Sequence, residues 1–524
     1  MKRYQLLLLA LLCTGTFAGA TLHAKPARNP IIWADVPDVA VIRVGDTYYM
    51  SSTTMHMSPG LPIMKSKDLV NWELIGYAYD TLVDNEALRL ENGRNAYGKG
   101  SWASSLRYHE GTFYVSTFSN TSGKTHVYTT KEIQKEPWKE TSFAPSLHDH
   151  SLFFDDDGRV YMLYGGGNLR LTELTADASA IKPGGFNEVV IKNASAVAGR
   201  NIGLPAEGSQ LRKINGKYYV MNITWPRNDM RTQIVHRADK ITGPYEGRVV
   251  LHDQGIAQGC LIDTPKGDWY AVLFQDHGAV GRIPYLVPVK WDDDWPVLGV
   301  DGKVPMVLNI PTGDGGSANI VASDKFNRKP GEPLPLAWQW NHNPDNRYWS
   351  IGERSGYLRL TTGRMDREVV QARNTLTQRT FGPISSATTK IEVGNMKDGD
   401  YAGLIALQKR YGFVGVKMKG QSKSIVMVSA EPDSPEEVEG VPLKQQTVYL
   451  KIDCDFRDRT DKAHFYYSLD GRTWTKIGAV LQMVYTLPHF MGYRFGLFNF
   501  ATKTQGGFVD FDFFRVSDEM TGTE

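Results

Sequence analysis

Five times along the chain a glycine turn runs into a stretch in which aromatic or aliphatic residues alternate with polar ones. The stretches are "VGDTYYM", "EGTFYVSTF", "DDDGRVYMLYG", "INGKYYVMNIT" and "PKGDWYAVLF", with turn glycines Gly45, Gly111, Gly158, Gly216 and Gly267. A polar turn followed by period-two alternation predicts a β-hairpin, and each repeat has an apolar strand on both sides of its turn. The glycines lie 66, 47, 58 and 51 residues apart, near the ~40–50 residues of a four-stranded propeller blade with some insertion. Five repeats predict an all-β fold with five blades, against five unrelated hairpins in another all-β fold.

What lies upstream of each glycine favours the blades. Nine residues before Gly111, Gly158, Gly216 and Gly267 stand Trp102, Asp149, Glu207 and Gln258, and seven before Gly45 stands Asp38. Seven and nine differ by one strand period, so all five residues take the same face and the same blade position. If that position opens the innermost strand, three carboxyl groups, an indole and an amide converge on the central channel. Asp35 has the opposite parity to Asp38 and falls outside the register, so it is expected to be structural or to support the site from behind.

Converging acids repel one another and burial penalises their charge, so such a cluster implies catalysis or a cation. Glycoside hydrolysis needs a protonated acid at the leaving oxygen and an ionised carboxylate opposite it, as base or as nucleophile. Two of the three acids suit those tasks, and the third would tune the acid.

The motifs "VPDVAVIRVGDTYY", "SWASSLRYHEGTFYV", "HDHSLFFDDDGRVYML", "AEGSQLRKINGKYYVM" and "GRIPYLVPVKW", in that order, resemble glycoside hydrolase family 43. Further on, "WQWNHNPDNRYWS" and "YRFGLFNFAT" resemble the concanavalin-like β-sandwich that follows the propeller in the family's xylosidases and arabinofuranosidases. The resemblance implies an inverting hydrolase in which Asp38 is the general base, Asp149 modulates and orients the acid, and Glu207 is the general acid. In physical terms, an ionised Asp149 beside Glu207 would keep the glutamate protonated, while a better-solvated Asp38 stays charged. Three positions depart from the family pattern: Val39 and Ser104 stand where prolines are common, and Gln258 where many members have a histidine associated with a central metal or water.

Trp102 is expected to be a sugar platform, and Arg282 matches a family arginine that contacts substrate hydroxyls; with Gln258 these form the expected substrate-binding set. Strand alternation sends His148 and His150 away from Asp149, so both are expected to be structural or supporting. The role of His277 stays open. No metal ligands are assigned and no cofactor is required; a structural calcium stays open, as does a cation at the channel centre, where Gln258 replaces the histidine. "DDDGR" at 155–159 has part of a calcium loop without the remaining ligand spacing and reads as a hairpin turn.

The first 24 residues, with Lys2 and Arg3, the apolar run Leu6–Leu12 and small-residue cleavage sites ending at Ala20 or Ala24, read as a secretory signal. The protein is therefore expected to be exported, periplasmic or secreted, with lipidation at Cys13 the lesser alternative. No stretch is long enough for a membrane span. Without Lys2 and Arg3 the formal charge falls from +2 to 0, which gives no field for nucleic acid or anionic membrane and suits a neutral partner. Only Cys260 and Cys454 remain beyond the leader, so no disulfide framework is expected.

The expected domains are a propeller over residues 25–312 and a β-sandwich over 318–520, separated by the turn-rich stretch from Pro311 to Ser317. In the sandwich, "DFDF" at 510–513 is expected to turn its acids outward and its aromatics inward, and Trp338, Trp340 and Trp349 to be core or interface residues. The leading functional expectation is an exo-acting α-L-arabinofuranosidase acting on plant hemicellulose oligosaccharides, from arabinoxylan or xyloglucan. β-Xylosidase is the nearest alternative, followed by a non-catalytic glycan-binding protein and a retaining transferase.

Overall fold

A computed structural model describes residues 25–135, 137–312, 317–329, 331–432 and 434–521. The signal-peptide and Cys13 readings, and the centre of the expected linker, lie outside these residues. Five four-stranded antiparallel sheets follow one another in the chain. Their innermost strands are Ala40–Val44, Ser101–His109, Ser151–Phe154, Ile202–Ile214 and Ala257–Asp263. Each pairs with the strand that follows its repeat glycine. All five glycines have φ between 62° and 88°, the left-handed conformation such tight turns require and side chains resist. The sequence "DDDGR" is one of these hairpin turns, with Asp155 accepting hydrogen bonds from Tyr218 and Asp157 pairing with Arg159.

The alternation seen in the sequence becomes the packing between blades. Ile42, Leu61 and Ile63 of the first blade meet Leu106, Phe113 and Val115 of the second. Phe153, Tyr161 and Leu163 of the third meet Leu211, Tyr218 and Val220 of the fourth. The ring closes where Val41, Tyr48 and Met50 pack against Cys260, Ile262 and Val272 of the fifth. At about 1.5–3 kcal/mol for each fully buried aliphatic or aromatic side chain, these contacts account for stability without disulfides; Cys260 and Cys454 are both free and buried. The segment before the first blade lies along the last one, with the Asn29 amide donating to the carbonyls of Leu286 and Pro305 and the Val36 N–H to that of Arg282.

Two eight-stranded sheets make the sandwich. One of them takes Met57–Ser58, from the first blade, as its edge strand beside Gln339–Asn341, so the propeller and sandwich share a sheet. Trp338 and Trp340 are buried, and Trp349 packs on Trp340 with ring centroids 5.0 Å apart, as core residues should. The "DFDF" expectation fails in part. Asp510 is buried and paired with Arg354 and Arg359, while Phe514 rather than Phe513 enters the core. The reason is a bulge at Asp512, where Lys390 faces Phe513 but Ile391 faces Phe511; one extra residue reverses which side chains point inward. Among the described residues no helix is long and apolar enough to cross a membrane.

Candidate active site

Asp38 and Asp149 stand just before an innermost strand, Trp102 and Gln258 at the start of one, and Glu207 within the long strand Ile202–Ile214, and the backbone at these positions is irregular. Asp38, Asp149 and Gln258 have positive φ, and the ladders shift register at Trp102, Glu207 and Gln258. Bulges of this kind re-aim side chains at the rim of a sheet, and here they aim them at the ring axis. Asp38, Asp149 and Gln258 line one small cavity there, together with Gly208.

Asp38 is buried and held from two sides. Nη1 of Arg282 donates to both its oxygens, at 2.9 and 3.0 Å, and the Gln258 amide donates to Oδ1 at 2.8 Å. Burial raises the Asp38 carboxyl, and the charge and hydrogen bonds of Arg282 pull against that rise. The expectation of a better-solvated Asp38 is thereby corrected: it is 6% exposed, and the buried Arg282 guanidinium faces its charge. Gln258, expected at the substrate, instead commits its amide to Asp38. Arg282 is more buried than an isolated reading of its motif suggests, and its Nε and Nη2 have no hydrogen-bond partner.

Asp149 and Glu207 form the other half. The Gly208 N–H donates to Asp149 at 2.9 Å. Burial pushes Asp149 up to about 7, with the charges of Glu207 and Asp38 adding to the rise and that of His148 opposing it. Asp149 thus holds a proton more readily than a free carboxyl, and its charge beside Glu207 is set by burial and by the facing His148.

His148 faces the acids, against the direction strand alternation predicts for it, and so supports the site rather than lying away from it. Its Nε2 lies 3.1 Å from Glu207 Oε2 and 3.9 Å from Asp149 Oδ2. The alternation argument fails because the strand begins only at Ser151 and Asp149 sits in a left-handed turn before it, where period-two parity has no meaning. His150 does behave as expected: it is buried, with its nitrogens on the Leu147 carbonyl and the Ser116 hydroxyl. His277 packs edge-on against Trp33 and bonds Gln275. Asp35 supports the site from behind, its two oxygens accepting the backbone N–H groups of Arg282 and Gly492.

An aromatic wall completes the site. Trp102 stacks on Phe118 and touches Phe490, with centroids 4.9 Å apart, and Phe490 lies under the Arg282 guanidinium. Phe490 belongs to the sandwich, on a loop that Asp35 ties down at Gly492. Neither it nor Phe118 was legible as a site residue, since no local pattern marks either. A cavity of about 1060 Å³ lies elsewhere, between residues 90–99 and 364–371; its acids stand among basic side chains, with Glu91 paired to Arg89 and Asp366 to Arg364. Among the described residues, His148, Asp149 and Glu207 are the one group of donors, all within 4.8 Å, close enough to share a cation. His148 Nε2 bonds Glu207 and lies near Asp149, and we read the trio as proton-handling groups.

Two predictions arise here. At Gly208, φ is +66° and an added Cβ would lie 2.6 Å from Gln258 Cδ. Gly208→Ala is expected to lower the melting temperature, by about 1–2 kcal/mol of backbone strain, and to lower activity as Gln258 leaves Asp38; thermal unfolding and steady-state kinetics check this. The second concerns pH. Asp149 binds its proton more tightly folded than unfolded, so its contribution to stability falls as pH rises through about 7. Asp149→Asn is therefore expected to raise the melting temperature relative to the parent, increasingly from about pH 4 to about pH 8; a pH-independent difference would contradict the assignment.

Comparisons with known proteins agree with this arrangement. The family model for "Glycosyl hydrolases family 43" matches residues 27–296, and that for "Beta xylosidase C-terminal Concanavalin A-like domain" matches 323–517. A β-xylosidase of Formosa agariphila is 30% identical, covering 93% of this chain and 89% of its own. A non-reducing end α-L-arabinofuranosidase of Bacteroides ovatus is 32% identical over 66% of each chain. A solved structure of a bifunctional GH43-CE protein from Bacteroides eggerthii superposes with a TM-score of 0.93 at 63% identity, covering 95% of this chain. The present chain spans 64% of that protein's length. A five-bladed ring that brings acids from its first, third and fourth blades together, and carries this sandwich behind it, places the chain in glycoside hydrolase family 43.

Proposed function

We propose that the protein is an exo-acting, inverting glycosidase that releases single terminal pentosyl residues from plant hemicellulose, with α-L-arabinofuranosyl side chains as the first substrate. The observation that carries this reading is the unequal treatment of the acids at one axis. Asp38 is clamped by Arg282 and Gln258, whereas Glu207 has its side chain 25% exposed beside groups that hold protons. Glu207 then gives a proton to the leaving oxygen, and Asp38 takes one from the water that attacks the anomeric carbon. Asp149, which holds a proton more readily than a free carboxyl, shares in setting the charge around Glu207 and orients it through Gly208. Arg282, itself buried, serves by holding Asp38 through Nη1, and Trp102 with Phe490 offers the apolar face to a sugar ring. No step needs a cofactor. The Phe490 loop narrows the site from the sandwich side, which supports removal of one terminal sugar over cutting within a chain.

β-Xylosidase activity is the second reading, favoured by the name of the Formosa relative, while the Bacteroides ovatus relative favours the first. The export expected from residues 1–24 belongs to the same proposal. The test is kcat/KM on an aryl α-L-arabinofuranoside against an aryl β-D-xyloside, with NMR of the first-formed anomer. Negligible arabinoside turnover beside good xyloside turnover would select the second reading. Retention of configuration would reject the inverting mechanism, and binding without hydrolysis of either would reject catalysis.

A further inference from the structure

The proposed mechanism leaves Glu207 without its proton after each turnover, and one side chain stands where that proton would return. We propose that His148 delivers it, so that His148 and Glu207 together, rather than Glu207 alone, form the working acid. This rests on the reading of Glu207 as proton donor.

The placement of the three groups carries the argument. His148 Nε2 is within hydrogen-bond reach of Glu207 Oε2, at 3.1 Å. Its side chain is 47% exposed, against 25% for Glu207 and 7% for Asp149. Protons from solvent therefore meet His148 before either acid. The imidazole is also held in place: Phe118 meets it edge-on at 5.2 Å, and the His148 carbonyl accepts the Gly165 N–H at 2.9 Å. His150, the nearest other imidazole in sequence, is buried with its nitrogens engaged by the Leu147 carbonyl and the Ser116 hydroxyl, so neither is free to bond Glu207. The charged groups facing His148 are Glu207 and Asp149, both acidic. Desolvation would lower the imidazole, but the Glu207 hydrogen bond and the two negative charges outweigh it and lift it to about 9.

The proton balance closes at each step. Glu207 transfers its proton to the leaving oxygen as the glycosidic bond breaks, and becomes a carboxylate. The imidazolium of His148 then passes its Nε2 proton to Glu207 Oε2 and becomes neutral. Neutral His148 takes a proton from a solvent or buffer acid, while Asp38, protonated by the attacking water, releases one to solvent. His148 acts through Glu207, so it is a positioning residue for the acid's proton rather than a catalytic one.

Two variants of the full chain test this. His148→Gln keeps an N–H donor toward Glu207 but cannot titrate, and His148→Ala leaves room for added imidazole. With a poor leaving group both are expected to lose about tenfold in kcat at about pH 8, where return of the proton limits turnover, with the basic limb of the kcat profile moved down by about one unit. With an activated aryl leaving group the loss is expected to stay within about threefold, because little protonation is needed. Added imidazole is expected to restore the Ala variant and not the Gln variant. An unmoved basic limb, or equal losses with both leaving groups, would reduce His148 to a structural role and overturn the proposal. A limb moved upward would also overturn it, since that is the effect of removing a charge that merely kept Glu207 ionised. Glu207→Ala serves as the control: if it shows no leaving-group dependence, the reading of Glu207 fails first, and if it does while the His148 variants do not, this inference alone fails.

Discussion

Glu207→Ala is expected to lower kcat/KM for glycosides with poor leaving groups by about 10²- to 10⁴-fold, the range general acid catalysis supplies, while activated aryl glycosides lose far less. A sugar or alkoxide leaving group departs as a strong base unless a proton reaches it in the transition state. A nitrophenolate departs well without one. The selectivity of the loss, more than its size, identifies the acid. The substitution is also structurally mild. Glu207 is partly exposed, and its strand is held by the Asn222 amide, which donates to the Glu207 carbonyl and to the Ser209 hydroxyl. The backbone of the variant should therefore remain in place. Rates measured on a series of aryl leaving groups check this prediction, and a uniform loss across the series would remove Glu207 from the acid role.

Asp38→Asn is expected to reduce turnover of both activated and poor leaving groups, by about 10²-fold or more, because water must lose a proton whichever group departs. A second effect separates this site from Glu207. Asp38 is the anionic partner of a buried guanidinium, and removing one member of a buried ion pair costs about 3–5 kcal/mol when the other charge is left alone. Asn keeps one accepting oxygen, so the loss should fall at or below that range, read as a lower melting temperature with unchanged far-UV circular dichroism. Added azide, a nucleophile that needs no base, should restore turnover of an activated substrate. Failure of azide to do so in a variant that still binds sugar would argue against Asp38 as the base.

The pattern of success in reading the sequence follows the range of the forces involved. The turn glycines and alternating strands act between neighbours, so the blades and the equivalence of Asp38, Trp102, Asp149, Glu207 and Gln258 were legible. Wherever the backbone left regular strand geometry, parity arguments failed. His148 was turned away from the acids on paper because Asp149 was treated as a strand residue, and its left-handed φ of 47° breaks that premise. The bulge at Asp512 did the same to Phe513 and Phe514. Gln258 was legible in position but not in partner, since the carboxylate it bonds is 220 residues away.

Amino-acid order alone determined an all-β chain of five repeats with three acids in register and a second β-rich region after a turn-rich break, because side-chain period and turn chemistry are local properties. Only the folded ring decided which acid is clamped by Arg282, which is approached by His148, and that Phe490 from the sandwich closes the site. Those outcomes depend on burial and on contacts between residues far apart in the chain, where desolvation and neighbouring charges set each group's protonation.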